Sequence, residues 1–345
     1  MSTTLTREPG TRTAAAVIVA LHVLGWGGLL LLTMRGVHFG PAGPAGSAAT
    51  VAVGWTAYSL GLRHAFDADH IAAIDNTTRR LVDRGRPAGT VGLWFSLGHS
   101  TVVLLLCVGL SLGIGALGGA LGDDTSPLHH VAGIWGPTVS GLFLLVIAAV
   151  NVRSLRADRN PSGRRPGGSG GAGAPSGLIW RMLGRFDSAV DRPTRMYLVG
   201  LLFGLGFDTA TEIGLLALAG SASVAHAPWW AVLTLPLLFA AGMSTLDTAQ
   251  GAVMRRAYSA APERRSVLLR YRTATMVVSV ATALLVAIVE LSGVAVDAFG
   301  WTGPIAWLAD RDIEDLGIWL TACLLLLWAS LLLALRRADR LRGTG

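Results

Sequence analysis

Apolar residues gather in long runs, with no sustained alternation of polar and apolar positions. Eight runs stand out, at approximately 14–34, 50–74, 91–117, 131–152, 195–222, 228–254, 270–294 and 316–335. An α-helix needs about 20 predominantly apolar residues to cross the hydrocarbon core of a bilayer. Inside that core every backbone N–H and C=O must be satisfied by the chain itself, which a helix does segment by segment. The pattern predicts an all-α polytopic membrane protein of about eight transmembrane helices, forming a single transmembrane domain over residues 1–345. The first run follows Arg7 and Arg12 but continues past Leu32 without a small-residue cleavage site, so it reads as a retained span.

Charge orients the spans. Only 14% of residues are charged, against roughly 25% in soluble proteins. The basic residues are all arginine, and they concentrate between alternate runs. Arg79, Arg80, Arg84 and Arg86 follow span 2; Arg255, Arg256, Arg264 and Arg265 follow span 6; Arg336, Arg337, Arg340 and Arg342 follow span 8. The segment after span 4 carries nine more, while the other loops hold almost none. Under the positive-inside rule this predicts a multi-pass protein of the cytoplasmic (inner) membrane with both termini cytoplasmic. It also explains the net charge of +7 without a nucleic-acid partner. Residues 153–194 read as a cytoplasmic linker, rich in Gly, Pro, Ser and Arg over Asn160 to Gly177. Ile179, Met182, Leu183 and Phe186 share a face beside arginines, which predicts a short amphipathic helix on the membrane surface.

Against this apolar background, one stretch is costly. Arg63-His64-Ala65-Phe66-Asp67-Ala68-Asp69-His70-Ile71 places five ionisable side chains inside span 2. A charge at bilayer depth costs on the order of 3 kcal/mol on insertion scales, so such residues persist where they pair or hold a ligand. Histidine with carboxylate is a ligand set for first-row divalent metals. Further candidates are His99 in span 3, Asp208 and Glu212 on one face of span 5, and Asp247 in span 6. On a straight helix His64, Asp67 and His70 share a broad face and Asp69 points away. Either the helix is unwound at Ala68-Asp69, or Asp67 is the ligand and Asp69 supports it. No phosphate-binding loop and no HExxH motif occurs, so nucleotide-driven transport by this chain and zinc protease chemistry lack support.

Two short patterns recur three spans apart. Phe66-Asp67 returns as Phe207-Asp208, and Phe95-x-x-Gly98-x-Ser100-Thr101 returns as Phe239-x-x-Gly242-x-Ser244-Thr245. An odd offset makes the copies run in opposite directions, the signature of inverted repeats (spans 2–4 and 5–7) with a site at their interface. The repeat predicts that spans 2, 3, 5 and 6 surround the site and that spans 1, 4, 7 and 8 lie outside.

The span 2 motif, with Leu97-Gly98-His99-Ser100, Leu205 to Glu212, Gly242-Met243 and Asp247-Thr248, resembles the nickel/cobalt transporter (NiCoT) family. The resemblance covers spans 2 to 6. It implies a permease of the cytoplasmic membrane that takes up Ni²⁺ or Co²⁺ as its transported substrate, with no resident cofactor and no catalytic residues. Gln250 stands where the family often has a further acid, and the linker lacks the histidine-rich stretch of related efflux proteins, which favours uptake. The expected ligands are His64, Asp69, His70 and His99, with Asp67, Asp208, Glu212 and Asp247 supporting them or serving another transport state. The competing readings are an exporter of the same fold, a non-transporting metal sensor and a histidine-box membrane metalloenzyme. The last would need more histidines than His64, His70 and His99.

Overall fold

A computed structural model of the chain describes residues 10–39, 44–111, 127–159, 191–206, 229–259, 265–310 and 317–326. The described residues form helices and connecting turns, with no strand among them. In chain order the helices are α1 (Thr11–Met34), α2 (Pro44–His64), α3 (Ala68–Asp83), α4 (Val91–Ser111), α5 (Pro127–Arg159), α6 (Met196–Phe203), α7 (Trp229–Val232), α8 (Thr234–Ser259), α9 (Arg265–Phe299) and α10 (Pro304–Ala309). An apolar helix, α11, covers Gly317–Leu326. A 3₁₀ turn over Pro193–Arg195 leads into α6.

Five stretches are continuous, long and apolar enough to cross a bilayer: those within α1, α4, α5 and α9, and α7 with α8 taken together. Three predicted spans differ. The second is divided between α2 and α3, the fifth is described only as far as Gly206, and the eighth only over Gly317–Leu326. Asp208 and Glu212 lie outside the described residues, as does most of the linker over 153–194. Its first residues continue α5, which runs through Arg159.

Helix α8 is the central element and packs against α1, α2, α3 and α4. Helix α4 also packs along α6, and α9 lies along α5. Both α5 and α9 touch α3, so spans 4 and 7 are not simply peripheral to spans 2, 3, 5 and 6, as the repeat alone predicts. A buried pair ties α5 to α9, in which Ser140 donates a hydrogen bond to Glu290.

Two crossings in this packing are copies of one another. Where α2 meets α8, a β-carbon on Gly61 would lie 2.1 Å from the Phe239 carbonyl oxygen, and one on Gly242 would lie 2.5 Å from that of Tyr58. Where α6 meets α4, a β-carbon on Gly200 would lie 1.9 Å from the Phe95 carbonyl oxygen, and one on Gly98 would lie 1.9 Å from that of Tyr197. Only glycine permits backbones this close, and small residues drive helix association where no hydrophobic effect is available. Tyr58-x-x-Gly61-Leu62 thus meets Phe239-x-x-Gly242, and Tyr197-x-x-Gly200-Leu201 meets Phe95-x-x-Gly98. Exchanging the two halves exchanges the two crossings. Thr101 and Thr245, matched in the repeat, each donate to the carbonyl four residues back at 2.7 Å.

The repeat includes a helix break. After Gly61 the helix runs on to His64, and Ala65 and Phe66 turn; after Gly200 it runs on to Phe203, and Gly204 and Leu205 turn. Ala65 N–H donates to Gly61 O at 3.3 Å and Asp67 N–H to His64 O at 3.0 Å. The counterparts are Gly204 N–H to Gly200 O at 2.9 Å and Gly206 N–H to Phe203 O at 3.0 Å. In this register Asp208 corresponds to Asp69, two residues away from the match of Phe66-Asp67 with Phe207-Asp208.

Candidate metal centre

Span 2 is broken, but at Ala65–Asp67 and not at Ala68-Asp69, the place named in the first of the two alternatives. Ala68 and Asp69 already belong to the first turn of α3. The reason is tertiary. A β-carbon on Gly317 would fall 1.6 Å from the Phe66 carbonyl oxygen, so α11 approaches the turn closely. The Gln250 side-chain amide, from α8, donates to Ala65 O at 3.3 Å. Backbone groups freed at membrane depth need such partners. Gln250 therefore supports the backbone here.

The break changes which side chains meet. Asp67 is extended (φ −59°, ψ 136°) and precedes α3 as its N-cap. Its Oδ2 lies 2.7 Å from His64 Nδ1. A carboxylate beside Nδ1 favours the proton on that nitrogen and leaves the Nε2 lone pair facing the other way, the usual way a ligand histidine is oriented. His64 Nε2 lies 2.9 Å from His99 Nε2. With the proton of His64 on Nδ1, that contact requires His99 to carry its proton on Nε2.

His70, one turn into α3, completes the group. The ring centroids of His64, His70 and His99 are 4.6 to 4.9 Å apart in all three pairs. A nitrogen from each lies within 4.8 Å of the other two. All three side chains are buried, and Phe95 and Phe239 wall them, with ring centroids 4.6 Å from His70 and 5.5 Å from His64. Two nitrogens about 2.0–2.1 Å from one cation lie about 2.9 Å apart at a right angle and about 3.4 Å apart at the tetrahedral angle, so the His64–His99 pair already has the separation of adjacent ligands. A cation held by both nitrogens would have to displace the proton between them.

The carboxylates divide by position. Asp67, Asp69 and His70 form a second group whose ligand atoms lie within 4.8 Å of one another, so His70 belongs to both groups. Asp69 is half-buried, and its Oδ1 accepts the backbone N–H of His70 at 2.7 Å. Asp67 and Asp69 both sit at the N-terminus of α3, where the helix dipole favours negative charge. Asp247 reaches in from α8, fully buried, with Oδ2 3.9 Å from His70 Nδ1. Neither Asp247 oxygen has a hydrogen bond among the described residues. A buried carboxylate without hydrogen bonds is costly, and a cation would remove that cost.

Of the eight sequence candidates, the structure brings together His64, Asp67, Asp69, His70, His99 and Asp247. A second buried polar group lies below them, on the arginine-rich side, and its partners from α5, α8 and α9 were not read from the sequence. Asp75 of α3 accepts hydrogen bonds from Tyr258 of α8 and, at 2.7 Å, from Ser279 of α9. The Asn76 amide donates to Ser279 O at 3.1 Å, and Asn151 of α5 donates to Asn76 Oδ1 at 2.8 Å.

The chain matches the family model described as high-affinity nickel-transport protein over residues 50–334. It is 46% identical to the nickel transporter NicT of Mycobacterium tuberculosis, over 92% of this chain and 86% of that protein. It is 39% identical to the cobalt transport protein NhlF of Rhodococcus rhodochrous, over 95% and 93% of the respective chains. With the nickel transporter NixA of Staphylococcus aureus the identity is 35% over 91% and 90%. No solved structure matches the chain. The family match spans the helix break, the three histidines and both crossings, and the chain belongs to the high-affinity nickel-transport protein family.

Proposed function

We propose that this protein is a permease that takes up Ni²⁺, Co²⁺ or both across the cytoplasmic membrane, with His64, His70 and His99 as the ligands that recognise the ion. The observation that carries the reading is the trio of buried histidines whose nitrogens lie within 4.8 Å of one another in a chain of this family. Asp67 holds His64 in its ligating tautomer, and Asp69 and Asp247 supply the negative charge that a dication requires. Asp208 and Glu212 serve as further carboxylates from span 5. The alternation of arginine-rich loops favours cytoplasmic termini and a cytoplasmic linker over 153–194.

A hydrated ion exchanges water for imidazole and carboxylate at the centre. Affinity order alone favours Cu²⁺, so geometry supplies the selection. An inside-negative potential favours entry by about 2.3 kcal/mol per charge per 100 mV. The ion is cargo, and the protein carries it without chemical change.

The test is accumulation of radiolabelled Ni²⁺ and Co²⁺ in cells expressing wild type or His64→Ala. Accumulation by wild type alone is the expected result. No accumulation above an empty vector removes the uptake reading, and depletion assigns export. Equal accumulation by His64→Ala removes the histidine site.

A further inference from the structure

Helix α3 has an unusual composition for its position. Every residue from His70 to Leu81 is buried, yet the stretch includes Asp75, Asn76, Thr77, Thr78, Arg79 and Arg80. Helix α8 covers one side of it, and α5 and α9 also pack against it. A helix polar on several faces normally meets water on at least one of them.

Its hydrogen bonding is uneven. At one level α3 is tied to three neighbours: Asp75 to Tyr258 and Ser279, and Asn76 to Ser279 O and to Asn151. One turn further towards the arginine-rich side the ties stop. The hydroxyls of Thr77 and Thr78 are fully buried and have no hydrogen-bond partner among the described residues. Arg79 is 2% exposed, and its Nε and Nη2 also lack one, although Nη1 holds Asp83 at 2.8 Å. Buried polar groups left unbonded oppose the packing, whereas the bonds to the Asp75 carboxylate favour it. Opening this packing gives up the bonds to Asp75 but lets water reach Thr78 and Arg79, and the second change offsets part of the first.

Position gives such an opening a use. Asp75 lies five residues beyond His70 along α3, about 7.5 Å at the helical rise per residue. It stands between the histidine centre and the side carrying Arg84 and Arg86. An ion leaving the centre towards that side has to pass this level.

We propose that the node at Asp75 and Asn76 is the inner gate of the permease: Tyr258, Ser279 and Asn151 hold α3 against α8, α9 and α5, and release of Asp75 opens a watered exit past Thr78 and Arg79. Tyr258 and Ser279 are thus positioning residues that touch the gate and not the ion. The inference rests on the permease reading, and on the orientation given there.

The test uses Thr78→Cys in full-length protein whose only cysteines, Cys107 and Cys323, are replaced by serine. A membrane-impermeant maleimide is applied to inside-out and right-side-out vesicles. The expected result is slow labelling from the inner face only, becoming roughly tenfold faster with Tyr258→Phe, the shift expected for one lost hydrogen bond to a carboxylate. Ser279→Ala, which keeps the backbone carbonyl that Asn76 uses, accelerates labelling as well. Ni²⁺ affinity of both purified variants stays within about threefold of the parent, because the gate and the centre are separate sites. Equal labelling rates in parent and variants overturn the gate, as does faster labelling from the outer face. Loss of Ni²⁺ affinity without a change in labelling also overturns it, since the node then only supports the histidines. Wild type that accumulates neither metal while the labelling shift persists sinks the transport reading and leaves the conformational one standing.

Discussion

The two helix breaks differ in what they carry. Both follow a Tyr-x-x-Gly-Leu segment docked on a Phe-x-x-Gly segment, and both use the same two backbone hydrogen bonds. At the first, His64 and Asp67 face the centre, and the His64 ring lies 5.5 Å from Phe239. At the second the equivalent positions are Phe203 and Gly206, and the Phe203 ring lies 5.3 Å from Phe95 and 5.6 Å from Phe143. The break is thus a property of the crossing, set by glycines. The imidazole and carboxylate of the candidate centre are a property of the few side chains placed on one copy of it.

The largest effect belongs to the crossings. Gly98→Ala puts a methyl 1.9 Å from the Tyr197 carbonyl oxygen, where backbone opposes backbone and no rotamer relieves the clash. The expected outcome is loss of monodisperse protein on fluorescence-detected gel filtration, with Gly61→Ala behaving alike. Gly293→Ala is the control, since nothing lies within 4 Å of a β-carbon there. Equal yields for Gly98→Ala and Gly293→Ala would break the equivalence of the crossings.

Asp67→Asn tests the chemistry of the first copy. It keeps the shape and removes the charge that holds the proton on His64 Nδ1, so Ni²⁺ affinity by calorimetry should fall about 10–100-fold while yield is unchanged. Phe203→His sharpens the comparison from the other side. The second copy lacks an aspartate at Gly206, so the variant is expected to bind no more ions per chain than the parent. A second ion at similar affinity would mean that the break alone makes a site.

The smallest effect is at the surface entry to the second crossing. There Asp191 pairs with Arg86 at 2.9 Å and with Arg195 at 3.2 Å. The hydrogen bond from Arg86 holds the Asp191 carboxyl below the usual carboxylate range; desolvation opposes it in part, and the charges of Arg195, Arg86 and Arg192 add to the lowering. A depressed folded-state value stabilises above the ordinary carboxylate pKa and is lost as pH falls through the depressed one. Asp191→Asn should lower Tm slightly at neutral pH, and the difference from wild type should vanish in acid. A difference that grows in acid would contradict the pairing.

The histidines were legible in the sequence because ionisable groups inside apolar runs are costly, and His64, His70 and His99 stand out against Leu, Val and Gly. The eight-run pattern likewise carried the fold class. The position of the break was not legible. Residues 63–69 contain no Gly or Pro, and what shapes the turn comes from Gly317 and Gln250, far away in the chain. The repeat was visible in Phe95 and Phe239, but the matching Tyr58 and Tyr197 segments look like ordinary membrane helix until their carbonyls are seen against glycine. The Asp75 node escaped for a similar reason: Tyr258 and Ser279 are unremarkable residues, 183 and 204 positions away from it.

The burial of α3 has a consequence for biogenesis. With Asp75, Arg79 and Arg80 along it, this helix does not partition into lipid on its own, and its hydrogen-bond partners sit on helices made much later. At roughly 5–20 residues per second of synthesis, the ribosome delivers α8 and α9 some 10–40 seconds after α3 emerges. During that interval α3 has to wait at the membrane surface or in the shelter of the insertion machinery. A chain truncated before Ser279 lacks the partners of Asp75 and should leave this segment more open to added protease than the whole chain does.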